Sequence, residues 1–92
     1  MKSHFKEREP VLISISDEAF VKSSAIAQII RRDSARVKRL TDAAAQNGML
    51  INVTGGRRTG SIILLKSNHV VLSALQPEII KSRLKETLYP IQ

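Results

Sequence analysis

Two adjacent arginines in a glycine-led loop, Gly55-Gly56-Arg57-Arg58-Thr59-Gly60, are the residues of this chain best suited to chemistry. Glycines free the backbone and let it approach a ligand closely. A guanidinium presents a planar fork of donors that matches phosphate oxygens bidentately, and the Thr59 hydroxyl adds another donor. The combination suits the backbone of a polyanion. It is not a P-loop, because it lacks the Gly-Lys-Ser/Thr ending and leads into a strand rather than a helix. Apolar segments on either side read as strands, which would hold the loop as a hairpin finger of a shape that can enter a DNA groove. A solvated hairpin tip with idle charges would have the same sequence, and the loop alone does not separate the two readings.

A second basic cluster, Arg31-Arg32 followed by Arg36, Lys38 and Arg39, precedes the loop. Arg36 and Arg39 are i,i+3 neighbours and could line one edge of a helix lying along a phosphate backbone. The alternative is a solvated helix face, with Lys38 partly neutralised by Asp42 four residues on. Catalysis has little support. The acids are scattered, and His4 and His69 have no Asp, Ser or second His at ligand or triad spacing, so neither an active site nor a metal site nor a cofactor is expected. His69 reads as a turn residue with a local hydrogen bond. Phe5, Phe20 and Tyr89 are the only aromatics. Single-strand and RRM-type binders stack bases on aromatic platforms, so duplex recognition through phosphates fits better.

The overall charge agrees with that reading. The chain has 92 residues with 15 Lys and Arg against 8 Asp and Glu, a net charge of +7. Such an excess points to DNA, RNA or an anionic membrane. Residues 31–58 hold seven of the basic residues and only Asp33 and Asp42 of the acids. A membrane surface would need a basic amphipathic helix with large apolar residues, and the segment Ser34–Asn47 offers mostly Ala. The charged N-terminal residues do not read as a signal peptide, and no apolar run reaches the ~20 residues of a bilayer span. Without cysteine there are no disulfides and no thiol chemistry. A cytoplasmic, nucleoid-associated location is expected. At this length one domain with a thin core is expected, so stability can lean on oligomerisation.

The elements that must position the arginines follow from periodicity. Residues 1–9 read as a flexible arm, 10–88 as the domain and 89–92 as a tail. Pro10 opens a strand at Val11–Ser16; Ser16-Asp17-Glu18 turns; Ala19–Ser23 is a second short strand. Ser23–Ala25 is irregular, and Ile26–Ile30 leans to strand because it is short and β-branched. A helix runs from Ser34 to about Asn47, with Asp33 or Ser34 as N-cap, Val37, Leu40 and Ala44 on one face, and Gly48 ending it. Met49–Val53 is a strand. Ser61–Lys66 is another, and its nearly continuous apolar run predicts burial on both faces. Ser67-Asn68 turns into His69–Ser73 as a hairpin. A last helix starts near Gln76-Pro77-Glu78, carries Ile79, Ile80, Leu84 and Leu88 as its apolar stripe, and ends at Pro90. The fold class is α+β, a small antiparallel sheet with two helices.

The blocks Asp33-Ser34-Ala35, Lys38-Arg39, Gly48-Met49-Leu50-Ile51, Gly56-Arg57-Arg58-Thr59, His69-Val70-Val71-Leu72-Ser73-Ala74 and Gln76-Pro77-Glu78 with Arg83-Leu84 resemble the RemA-like extracellular-matrix regulators of bacteria. The resemblance runs from about Leu12 to Leu84. It implies a double-stranded-DNA-binding transcription regulator of biofilm-matrix genes. It also implies a LytTR-like sheet domain, and assembly into a ring-shaped homo-oligomer with arginine-bearing loops on one rim. Arg57 and Arg58 stand where the family binds DNA, with Gly56 and Thr59 beside them. Departures accompany it. Ala25 and Gly60 stand where the family has or often has a further cation, and Arg32 and Arg36 stand where proline is usual. Ser16-Asp17-Glu18-Ala19 replaces a glycine-rich first turn. Arg32, Arg36 and Lys22 are therefore the auxiliary cations expected to help.

The leading expectation is a ring-forming duplex-DNA regulator with no membrane and no small-molecule substrate among its partners. Linked copies would gain avidity that one pair of arginines lacks. A non-enzymatic scaffold whose basic loop meets an acidic protein is the alternative. A small enzyme holding a phosphorylated metabolite in the loop is a third reading, and it lacks a placed general base.

Overall fold

The apolar run Ser61–Leu65 is the central strand of the fold, with Ser61, Ile62 and Ile63 fully buried. The computed structural model describes residues 11–88. Strands β1 (Leu12–Ser14) and β2 (Phe20–Lys22) form an antiparallel hairpin, and a 3-10 turn at Ser23–Ala25 leads into β3 (Ile26–Arg31). Helix α1 (Val37–Gln46), β4 (Leu50–Asn52), β5 (Ser61–Leu65), β6 (Val70–Ser73) and α2 (Pro77–Leu88) follow. The main sheet has the order β3-β5-β6-β4.

Because side chains alternate along a strand, neighbours in β5 and β6 serve opposite faces. Ile62 and Val70 pack with Ile30 under α1, against Ala44, Val37 and Leu40. Ile63 and Val71 pack on the other face with Ile13 and Ile15 of the hairpin and Ile80 of α2. The expected burial of β5 on both faces is therefore present. The expected stripe of α2 is partly so: Ile80 is buried and Leu84 half-buried, while Ile79 is 43% exposed.

The fold is α+β with two helices, as expected, but the sheet is mixed. Strand β4 pairs parallel with β6 in the register Leu50↔Val70, Ile51↔Val71, Asn52↔Leu72, whereas β3–β5 and β5–β6 are antiparallel. The hairpin expected around the glycine loop is thus absent, because β6 lies between β4 and β5. The hairpin at Ser67-Asn68 does form, with Asn68 at φ 75. Ser67 Oγ and His69 Nδ1 are 2.7 Å apart, the local bond expected of that histidine.

Helix α1 starts later than its sequence suggests. Arg36 occupies the N-cap with no side-chain cap. Ser34 instead closes a preceding turn, its N–H donating to Arg31 O and its carbonyl and Oγ accepting from Val37 N and Arg36 N. The Asp33 carboxylate is taken by Arg31 Nε at 3.3 Å, so neither expected cap is free for the helix. The C-terminus matches expectation: Gly48 at φ 70 lets Met49 N donate to Ala44 O and Gly48 N to Ala45 O, a Schellman arrangement. The expectations for residues 1–10 and 89–92, including the arm, Pro10, Pro90 and the tail, lie outside the described residues, as does the side chain of Leu88.

Candidate nucleic-acid interface

Strand directions decide which charges meet. Strands β3, β4 and β6 run one way and β5 the other, so Arg31, Asn52 and Ser73 end their strands where Ser61 begins β5. The segments 32–36, 53–60 and 74–76 all leave from this end. The β1–β2 turn joins it, because Ser73 Oγ donates to Ile15 O at 2.7 Å and accepts from Leu75 N at 3.0 Å.

The glycine loop crosses the end of β6 and is fastened at both sides. Val53 N donates to Leu72 O and Gly60 N to Ser73 O. Asn52 Oδ1 accepts from both the N–H and the hydroxyl of buried Thr54, at 2.9 and 2.7 Å. Thr54 O then accepts from Arg57 N, closing a tight turn over Gly55 and Gly56. Both glycines have positive φ, 65 and 85, which the central residues of a type I′ turn require and which non-glycine residues adopt at a cost.

Arg57 leaves this turn toward the β1–β2 turn, where its Nη2 donates to Asp17 Oδ2 at 2.8 Å. Asp17 was not among the residues expected at the site. No local sequence signal marks it, since the contact exists only because the hairpin folds against the sheet end. Arg58 points the other way. With Thr59 and Arg32 it lines a groove of about 570 Å³ beside α1. The guanidiniums of Arg32 and Arg58 have no hydrogen-bond or ion-pair partner among the described residues. Arg36 is at the same end, but its Nη2 turns back along β3 to Gln28 Oε1 at 3.1 Å. Lys38 is paired with Asp42 at 3.1 Å, the i,i+4 neutralisation its spacing predicts.

Lys22 is not brought to this cluster. It ends β2 opposite Leu12, at the far end of the hairpin from Asp17. Ala25 is also at that far end, its carbonyl accepting from Lys66 N beside the β5–β6 turn. Gly60 has a steric reason to be glycine: a Cβ there would lie 2.5 Å from Ala74 O and 2.6 Å from Leu75 O. No cation fits at this position while the backbone keeps this path. Among the described residues, no group of three His, Cys, Asp or Glu is placed to hold a metal ion. No helix there is long and apolar enough to cross a membrane.

The profile of one protein family, described as RemA-like, extracellular matrix regulatory protein A-like, matches residues 12–84. A protein of Thermotoga maritima is 42% identical over 81 residues, covering 88% of each chain. One of Heliobacterium modesticaldum is 44% identical over 80 residues, 85% of this chain and 88% of its own. One of Alkaliphilus metalliredigens is 44% identical over 73 residues, 79% of this chain and 78% of its own. Each is named as a candidate regulatory protein.

Proposed function

The chain belongs to the RemA-like family, whose curated relatives are named for regulation, and on that premise we propose that it regulates transcription by binding double-stranded DNA through the phosphate backbone. The observation that carries this reading is the gathering of Arg32, Arg57 and Arg58 at one end of the sheet. Two of these guanidiniums are unpartnered among the described residues, and the third is held only by an exposed carboxylate. Phosphate contacts from such groups position a protein on a duplex without reading its sequence. Arg57 and Arg58 are the principal contacts in this proposal, with Gly56 and Thr59 shaping the loop and Arg32 and Arg36 beside it. Lys22 takes part only from another copy of the chain, since within one chain it lies at the opposite end.

One loop neutralises few phosphates, so the proposal includes a homo-oligomer, ring-shaped as the family resemblance implies. Such a ring presents many loops to one duplex and gains avidity without new contacts. Biofilm-matrix genes are its proposed targets and the nucleoid its proposed location. The test is a titration of duplex binding against salt. The logarithm of the affinity should fall linearly with that of the salt concentration, by about one counterion for each phosphate neutralised. Arg57→Ala with Arg58→Ala should nearly abolish binding and leave the oligomer intact. A flat salt response, or a double variant that binds like the parent, overturns the reading; indifference to DNA altogether would favour a scaffold for an acidic protein.

A further inference from the structure

We infer that the groove between α1 and the sheet is a binding site for a small phosphate monoester with an apolar body, and that a ligand there competes with DNA for Arg58. The groove, of about 570 Å³, falls within the range that holds small ligands. Its chemistry changes along its length. At the end where β3 and β6 finish, Arg32, Arg58 and Thr59 line it together with Val37, the first residue of α1. Further along α1 it is lined by Thr41, Asp42 and then Ala45, while Leu50, Ile62 and Leu72 make its sheet side apolar.

With the cations that hold its two acids counted in, the groove keeps a net positive charge, Arg31, Arg32, Lys38 and Arg58 against Asp33 and Asp42. The groove is also lined by Asp33 and Asp42, but each is engaged by a cation, Asp33 by Arg31 at 3.3 Å and Asp42 by Lys38 at 3.1 Å. Arg32 and Arg58 have no such partner among the described residues, and the first turn of α1 carries no acid. Two guanidiniums and a hydroxyl offer more donors than a carboxylate can use and suit the three terminal oxygens of a phosphate monoester. The apolar end supplies what a bare phosphate or a nucleic-acid backbone would leave unfilled. Occupation would cover Arg58, a residue the proposed function assigns to DNA. The competition rests on that assignment; the site does not.

2-Naphthyl phosphate is a suitable probe, compared by calorimetry with inorganic phosphate and with 2-naphthol, while methyl resonances of Leu50, Ile62 and Leu72 report the location. The phosphate ester should bind about tenfold or more tightly than either fragment and shift those methyls. Arg32→Gln and Arg58→Gln should each weaken it. Ala45→Trp, at an exposed position of α1 that lines the groove, should fill the apolar end and abolish ester binding. The site is refuted if inorganic phosphate binds as tightly as the ester, if the groove methyls stay silent, or if Ala45→Trp binds the ester like the parent. It is also refuted if the same methyls shift with protein concentration alone, which would make the groove a subunit contact. These measurements contain no DNA and hold whether or not DNA binds. In a separate assay with labelled duplex, saturating ester should displace it, and undisturbed DNA binding by the ester-loaded protein overturns the competition.

Discussion

Arg57 Nη2 donates to the Asp17 carboxylate at 2.8 Å across 40 residues of sequence, linking the tip of the glycine loop to the β1–β2 turn. Both side chains are open to solvent, at 65% and 82% exposure, so the pair itself contributes about 0–1 kcal/mol. Its larger effect is on what Arg57 can bind. A phosphate approaching that guanidinium meets a carboxylate already in place and of its own sign.

Replacing that carboxylate should therefore help. Asp17→Asn is expected to tighten duplex binding about two- to fivefold at low salt, the range an exposed pair allows. The gain should shrink as salt screens the charge. Fluorescence anisotropy with a labelled duplex measures it. Weaker binding by the variant would instead mean that Asp17 holds Arg57 in its binding geometry.

Gly60 cannot be used to add a cation. Gly60→Arg forces a Cβ to within 2.6 Å of two backbone carbonyl oxygens, those of Ala74 and Leu75. Backbone yields less readily than a side-chain tip, and overpacking of this kind costs about 1–3 kcal/mol or more. Urea denaturation should show that loss for Gly60→Ala as well, which separates the steric effect from the charge. An unchanged midpoint for Gly60→Ala would refute the argument.

Two buried serines side by side in the sheet should respond oppositely. Ser73 Oγ donates to Ile15 O and accepts from Leu75 N, so Ser73→Ala strands buried groups and should cost about 1–3 kcal/mol. Its register partner Ser61 is equally buried, and its Oγ has no partner among the described residues. Ser61→Ala should be neutral or stabilising. Thermal unfolding of the two variants, compared directly, decides it.

Gly56 stands at φ 85 with open space where a Cβ would go. Gly56→Ala should thus lose about 1–2 kcal/mol from backbone strain alone. It should also weaken DNA binding, because the turn that aims Arg57 relaxes. Circular dichroism melts and the anisotropy assay check the two effects. Loss of stability without loss of affinity would show that the turn does not orient the arginine.

Much of this was legible in the sequence because it is local. The apolar run of β5 buried on both faces, the Asn68 turn into β6, the Pro77 start of α2 and the Gly48 stop of α1 each depend on a few adjacent residues. The start of α1 differs from its sequence pattern because Asp33 and Ser34 spend their side chains on Arg31 and on a turn. The topology departs from the sequence pattern where it depends on strand order. Ser61–Leu65 follows the glycine loop in sequence, yet its neighbour is β6, which no pattern around the loop announces. The same holds for the site. Arg57 and Arg58 stood out by type and spacing, whereas Asp17 and the obstruction at Gly60 arise only when distant segments meet at one sheet end.

The two fastenings of the glycine loop carry one more implication. Thr54 is buried and bonded to Asn52, and Gly60 is buried against Ala74 and Leu75. Everything between them is exposed or half-exposed. The three residues from Arg57 to Thr59, which follow the turn at Gly55 and Gly56, thus form a replaceable cassette on fixed mounts. Their side chains can diverge to suit a different partner while the hydrophobic interior stays the same.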